Sequence, residues 1–298
     1  VGEKSDLLCE PGNNLNSSDS NNLKTIFFVG GSTTENTDVK EENRFHCSLN
    51  RRFKENGLNL IAKNYGVSGN HSMHSNIILL TKLAPLKPDY IVLMHNINDI
   101  SILLKGGNYW NDSTSSGIFT SSYGKLEGKY QFAKEIKDLL IPNIWIILKN
   151  NFEFTVEPKV IKTSDPNTNF KNVALNYRKS LNSFIAISKA MGIKPIIMTQ
   201  PSGFQSDSKK FLNWWKKRNY PAFKSFESQE ESFKVVGNLH KEFNNIIRDI
   251  ASKQNILLID LDEKINPKMP IFTDVVHFNE AGNNIMSDII HDFFATQL

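Results

Sequence analysis

The chain has 298 residues, 39% of them hydrophobic and 22% charged, a globular balance that excludes a disordered chain and is long enough to bury a full core without metal or disulfide staples. Its net charge of +4 is scattered apart from Lys209-Lys210 and Lys216-Lys217-Arg218, which argues against a nucleic-acid binder. No apolar run reaches the ~18–20 residues of a membrane span, and two cysteines, Cys9 and Cys47, exclude a disulfide scaffold and a Cys-rich zinc site.

In chain order, residues 1–23 read as a polar, poorly structured lead-in, dominated by Gly, Asn, Ser and Asp between Pro11 and Asn22. The first residue is Val1, not Met, which leaves room for a signal peptide or membrane anchor upstream. Thr25–Val29 predicts a first strand ending in Gly30-Gly31, and residues 41–56 a helix stopped by Gly57. A second strand covers Leu58–Asn64, a helix 72–84, and a third strand Tyr90–Met94. Residues 105–128, rich in Gly, Ser, Thr and Tyr, read as a loop insertion, and 130–149 as a helix interrupted by Pro142. A helix over 170–191 leads to a fourth strand, Lys194–Thr199, closed by Gln200-Pro201. A second insertion, polar and aromatic, covers 202–228. A helix over 232–253, a fifth strand Ile256–Leu261 and a helix over 279–296 complete the chain.

Apolar strands alternating with amphipathic helices predict βαβ units, hence a parallel sheet covered on both faces. The expectation is one three-layer α/β domain over 24–298. In such sheets the chemistry sits beyond the carboxyl ends of the strands, and polar motifs stand there in order. After the first strand comes Gly30-Gly31-Ser32-Thr33-Thr34, an exposed Ser at a tight turn, which is also how a plain strand-to-helix turn reads. After the second comes Asn64-Tyr65-Gly66-Val67-Ser68-Gly69-Asn70, with two glycines that let backbone N–H groups face a ligand. After the third comes His95-Asn96-Ile97-Asn98-Asp99, where an Asn amide donates to an oxyanion or caps the next turn. After the fifth comes Asp274-Val275-Val276-His277, an acid placed to orient an imidazole. Together these supply a nucleophile, oxyanion donors and a base with its orienting carboxylate, the set required for acyl transfer. No phosphate-binding loop is present, and Ser68 lacks the second spaced glycine of a hydrolase elbow.

Over residues 25–296 this pattern resembles the SGNH hydrolase family, also called GDSL-type esterases. The resemblance implies a flavodoxin-like fold with five parallel strands. It implies Ser32 as nucleophile, Asp274 and His277 as its partners, and an oxyanion hole from Ser32, Gly69 and Asn98. Two positions depart from the family: Gly31 stands where GDS has Asp, and Asn96 where the G-x-N-D block has Gly. The second departure is expected to alter the backbone near Asn98 and to tune substrate choice.

The expected activity is a serine esterase removing a short acyl group, acetyl in the first instance, from a carbohydrate, with no metal or organic cofactor. An O-acyltransferase on a cell-envelope glycan is the alternative; a lipolytic esterase and a non-catalytic carbohydrate-binding module rank below it. The expected partner is a small-molecule or glycan ester and not nucleic acid. Tyr109, Trp110, Tyr123, Trp214, Trp215 and Tyr220 on the insertions suit stacking on sugar rings, although Trp214 and Trp215 equally suit anchoring a loop. His95, Asn96, Trp214 and Trp215 are the candidate substrate-binding residues. His71, His74 and His95 show no metal-ligand spacing with a carboxylate or Cys. An extracytoplasmic location is expected. Cys9 and Cys47 either pair or stay free.

Overall fold

The computed structural model describes residues 9, 23–109, 166–205, 209–218 and 226–297. The helix expected over 130–149, Trp110, Tyr123, Tyr220 and most of the lead-in and of the first insertion lie outside the described residues.

Five strands form one all-parallel sheet: β1 (Lys24–Gly30), β2 (Leu60–Asn64), β3 (Tyr90–Met94), β4 (Lys194–Met198) and β5 (Leu257–Ile259), in the order β2-β1-β3-β4-β5. The three-layer α/β expectation holds. Ile26 to Val29 of β1 and all of β3 are buried, as expected of central strands covered on both faces. Two helices pack together on the β2 side, α2 (Phe45–Glu55) and the closing α9 (Glu280–Gln297). A second group comprises α3 (Ser72–Ile78), α4 (Ile97–Gly106), α5 (Pro166–Ala190) and α7 (Gln229–Gln254). Tyr177 of α5 stacks on Phe243 of α7 with centroids 4.0 Å apart at the centre of that layer.

Three helices differ from expectation. A four-residue α1 (Ser32–Glu35) follows β1 directly, α4 occupies the segment after β3, and α6 (Lys209–Arg218) lies inside the expected 202–228 insertion. The α6 sequence carries Phe211, Trp214 and Trp215 at i, i+3 and i+4, a helical apolar stripe. The helix expected over 72–84 is α3 continued by a π-helical turn, Leu79–Leu83, and a short 3-10 turn at Pro85. A short helix α8 (Leu261–Lys264) cuts the fifth strand back to three residues.

Chain order reverses direction across the sheet between β1 and β3, since β2 lies on one side of β1 and β3 on the other. The register pairs Gly30 with Met94, so the segments leaving β1 and β3 emerge side by side at one rim. This switch point is where open α/β sheets form their clefts.

Candidate active site

The backbone leaves β1 extended at Gly31 (φ −91°, ψ −153°), and Ser32 opens α1. Ser32 Oγ lies 2.7 Å from His277 Nε2. His277 Nδ1 lies 2.7 Å from Asp274 Oδ2. The segment carrying these two residues is a closed turn. Phe272 and Phe278 bridge antiparallel with rings 5.0 Å apart, and Thr273 N–H donates to His277 O at 2.8 Å. Within it Asp274 Oδ1 accepts from the N–H groups of Val276 and His277, each at 2.9 Å. The carboxylate is thereby fixed from both oxygens, and the imidazole is fixed by the carboxylate.

Burial pulls the His277 pKa down, but the hydrogen bond and charge of Asp274 outweigh it, with Asp38 adding to the rise and Arg218 opposing it; the net direction is up from 6.5. Burial raises the Asp274 pKa, and His277 with the two backbone donors brings it below its ordinary value. A carboxylate beside a basic imidazole is the state a general base requires.

Of the three expected oxyanion donors, Ser32 and Gly69 line the cleft, and the Asn98 amide packs beside Gly31. Gly69 sits in the left-handed region (φ +80°), which favours glycine. Among the described residues the N–H groups of Ser32 and Gly69 have no backbone acceptor. Asn98 Nδ2 donates to Asn70 O at 2.7 Å, and its second amide hydrogen stays available. A Cβ built on Gly31 would lie 2.5 Å from Asn98 Nδ2 and 2.9 Å from Asn70 O. The absence of a side chain at 31 is therefore what lets the Asn98 amide pack against the backbone next to Ser32.

The structure brings Ser32, Gly69, Asp274, His277 and Trp214 to one cleft of about 310 Å³, with Thr37, Asp38, Ser68 and Arg218 completing its lining. Three expected substrate-binding residues lie elsewhere. Asn96 is buried and turned towards α7, where its Nδ2 donates to His240 O (2.8 Å) and Asn244 Oδ1 (2.9 Å). His95 is buried, with Nε2 2.7 Å from Ser75 Oγ. Trp215 is buried, with Nε1 donating to Ser232 Oγ at 2.9 Å, so it anchors α6 to α7. Trp214 does reach the cleft, but Arg218 lies over its ring, 5.2 Å from the centroid.

Several supporting contacts could not be read from the sequence, although Gln200 and Asp99 stand in segments it singles out. Glu35 accepts from Ser68 N (2.6 Å) and Oγ (2.5 Å), tying the Gly66–Asn70 loop to the nucleophile's helix. Gln200 accepts from Ile97 N (3.1 Å) and donates to Thr33 Oγ1 (2.8 Å), joining the loops after β1, β3 and β4. Behind the site Asp99 is fully buried and accepts from Ser72 N–H, Ser72 Oγ and Tyr109 Oη. Burial pushes its carboxyl up to about 6 against those hydrogen bonds.

Among the described residues one group offers metal-ligand atoms close together: Cys9, His46 and Cys47, within 4.8 Å. Both sulfurs are joined in a Cys9–Cys47 disulfide, which leaves a lone imidazole.

Residues 28–285 match the model of the GDSL-like lipase/acylhydrolase family. No curated protein sequence matches the chain. Among solved structures it is similar to a catalytic mutant of an acetylxylan esterase from Geobacillus stearothermophilus, at 14% identity, covering 91% of this chain and 93% of that one, with a TM-score of 0.50. It is also similar to a GDSL-like lipase from Bacteroides thetaiotaomicron (14% identity, 92% and 89% covered, TM-score 0.46). At 14% identity the likeness to the esterase speaks to the fold alone. The family match spans Ser32, Asp274 and His277 and the strands β2 to β5, with β1 from Phe28 onward. The chain belongs to the GDSL-like lipase/acylhydrolase family and is an ester hydrolase.

Proposed function

We propose that the protein removes a short acyl group, acetyl in the first instance, from a carbohydrate ester through an acyl-Ser32 intermediate. The observation that carries this reading is the continuous contact from Ser32 Oγ through His277 to Asp274, 2.7 Å at each step. His277 Nε2 accepts the Ser32 proton as Oγ attacks the carbonyl carbon, while Nδ1–H donates to Asp274. General-base help of this kind is worth ~10²–10⁴ in rate. The carbonyl oxygen becomes an oxyanion held by the N–H groups of Ser32 and Gly69 and by the Asn98 amide. Each such donor contributes roughly 2.7–4 kcal/mol to the transition state. The His277 proton then passes to the departing alkoxide. In the second half, water attacks the acyl carbon as His277 takes its proton, and the acid leaves as His277 returns that proton to Ser32 Oγ.

The lining favours a small acyl group over a lipid chain, because Trp214 is its single large apolar side chain among the described residues. Transfer to a sugar hydroxyl instead of water would use the same residues. An extracytoplasmic location is supported by the Cys9–Cys47 pair, since disulfides persist in oxidising compartments. No helix among the described residues is long and apolar enough to cross a membrane.

Intact-mass labelling with a fluorophosphonate tests the nucleophile. The expected outcome is one adduct on the wild-type chain and none on Ser32→Ala, with loss of aryl-acetate turnover in the variant. A labelled Ser32→Ala chain, or a folded wild type that takes no label, would remove Ser32 from the mechanism. Product analysis with and without a sugar acceptor then separates hydrolysis from transfer.

A further inference from the structure

The cleft holds a guanidinium that the ester chemistry does not use. Arg218 is the last residue of α6, one turn beyond Trp214, and its guanidinium carbon lies 5.2 Å from the Trp214 ring centroid. Both residues line the cleft with Ser32, Gly69 and His277. Its neighbour Lys216 pairs with Glu230, whereas Arg218 has no carboxylate partner among the described residues. Cations in a last helical turn are ordinarily explained by the helix dipole. That explanation covers Lys217, which does not line the cleft. It does not explain a guanidinium laid on an indole beside the nucleophile.

The support under Arg218 is firm. Phe211 and Trp215 of α6 are buried, and Trp215 is hydrogen-bonded to α7. The remaining charged groups of the cleft are Asp38, Asp274 and His277. Asp274 is committed to His277 and two backbone donors. Among the described residues the cleft is thus dipolar, with the Asp38 carboxylate and the Arg218 guanidinium as its two uncommitted charges. A guanidinium stacked on a ring keeps its in-plane N–H groups open, and these match the paired oxygens of a carboxylate or phosphate.

We propose that Arg218, held on Trp214, is an anion subsite, and that the preferred substrate is an ester whose alcohol part carries an oxyanion: an O-acylated acidic sugar. The proposal rests on the esterase reading of this cleft. Arg218 takes the oxyanion, which orients the sugar, and Asp38 accepts from its hydroxyls. Asp38 and Arg218 are both exposed, so salt screens them and the preference weakens as salt rises.

The test is calorimetric binding to the full Ser32→Ala chain, which needs no turnover. The ligands are acetylated methyl glucoside, acetylated methyl glucuronide and acetylated glucose phosphate. The expected result is at least tenfold tighter binding of one or both anionic ligands than of the neutral one. Arg218→Gln on the same background should abolish the difference, Arg218→Lys should restore part of it, and Lys217→Gln should leave it in place. Tighter binding of the glucuronide alone, or of the phosphate alone, supports the subsite and identifies its oxyanion. Equal binding of all three ligands, or a preference that survives Arg218→Gln, overturns it. The fluorophosphonate result on wild type is read separately, so loss of the esterase reading and loss of the anion subsite give different patterns.

Discussion

Position 31 decides how close the Asn98 amide comes to Ser32, the proposed nucleophile. A methyl group there would meet Asn98 Nδ2 at 2.5 Å and the Asn70 carbonyl at 2.9 Å, distances that force one of them to move. Gly31→Ala is therefore expected to lower kcat by on the order of ten- to a hundredfold, part of the effect of losing an oxyanion donor. An unchanged melting temperature alongside that loss would place the effect in the site and not in the fold. The second residue-scale prediction concerns pH. Activity needs neutral His277, whose pKa is raised above 6.5 by Asp274 and Asp38 against burial and Arg218. The acid limb of kcat/KM should accordingly have its midpoint above 6.5. Asp38→Asn removes a raising charge and moves that midpoint down, while Arg218→Gln removes a lowering charge and moves it up. Shifts in the same direction for both variants would mean that the limb belongs to another group. The contact of Ser32, His277 and Asp274 was legible in the sequence because these residues stand beyond apolar strands in a fixed order. His95 and Asn96 follow a strand too, yet they are buried. A sequence shows where a strand ends but not which way each side chain turns there, and Asn96 (φ −165°, ψ −76°) turns into α7.

At the scale of elements, the strands and long helices were legible because continuous apolar runs and 3.6-residue stripes survive any tertiary context. The short ones were not. Four-residue α1 is too brief for a period. The Phe211, Trp214, Trp215 stripe of α6 was present but sat among charged residues, so the segment read as a polar insertion. This helix carries the wall of the cleft opposite the nucleophile's loop, and Trp215 is what holds it. Its ring is 1% exposed, packs edge-on against Phe204 and Phe233, and donates to Ser232. Trp215→Ala should cost about 3–5 kcal/mol by denaturant unfolding, as expected for truncating a large buried aromatic. The same variant should raise KM for an anionic ester more than for a neutral one, because Trp214 and Arg218 lose their seat. A loss under 1 kcal/mol would mean that α6 is not packed as described.

At the scale of the whole molecule, the site exists because the sheet reverses its winding between β1 and β3, and everything else braces that rim. The brace on the β2 side runs through α2. Asn50 Nδ2 donates to Ala62 O of β2 (3.0 Å) and to Cys9 O (3.2 Å), while Ala62 N–H donates back to Asn50 Oδ1 (2.7 Å). Asn283 of α9 accepts on Oδ1 both from Asn36 Nδ2 at the end of α1 (2.7 Å) and from Phe45 N–H at the start of α2 (3.0 Å). The Cys9–Cys47 disulfide fastens one point of the lead-in to this brace across 38 residues of sequence. Two cysteines in a sequence do not reveal whether their Cα atoms come within bridging distance; here they are 4.7 Å apart. Closing a loop of that length removes unfolded-state entropy worth about 4 kcal/mol. Reduction, or Cys47→Ser, is thus expected to lower the melting temperature by on the order of 5–10 °C. Fluorophosphonate labelling at 25 °C should persist in the reduced protein, because no reacting group touches the disulfide. A melting temperature insensitive to reductant, with thiol titration confirming that both cysteines were freed, would show that the lead-in adds nothing to the brace and that β2, α2 and α9 hold this side of the rim alone.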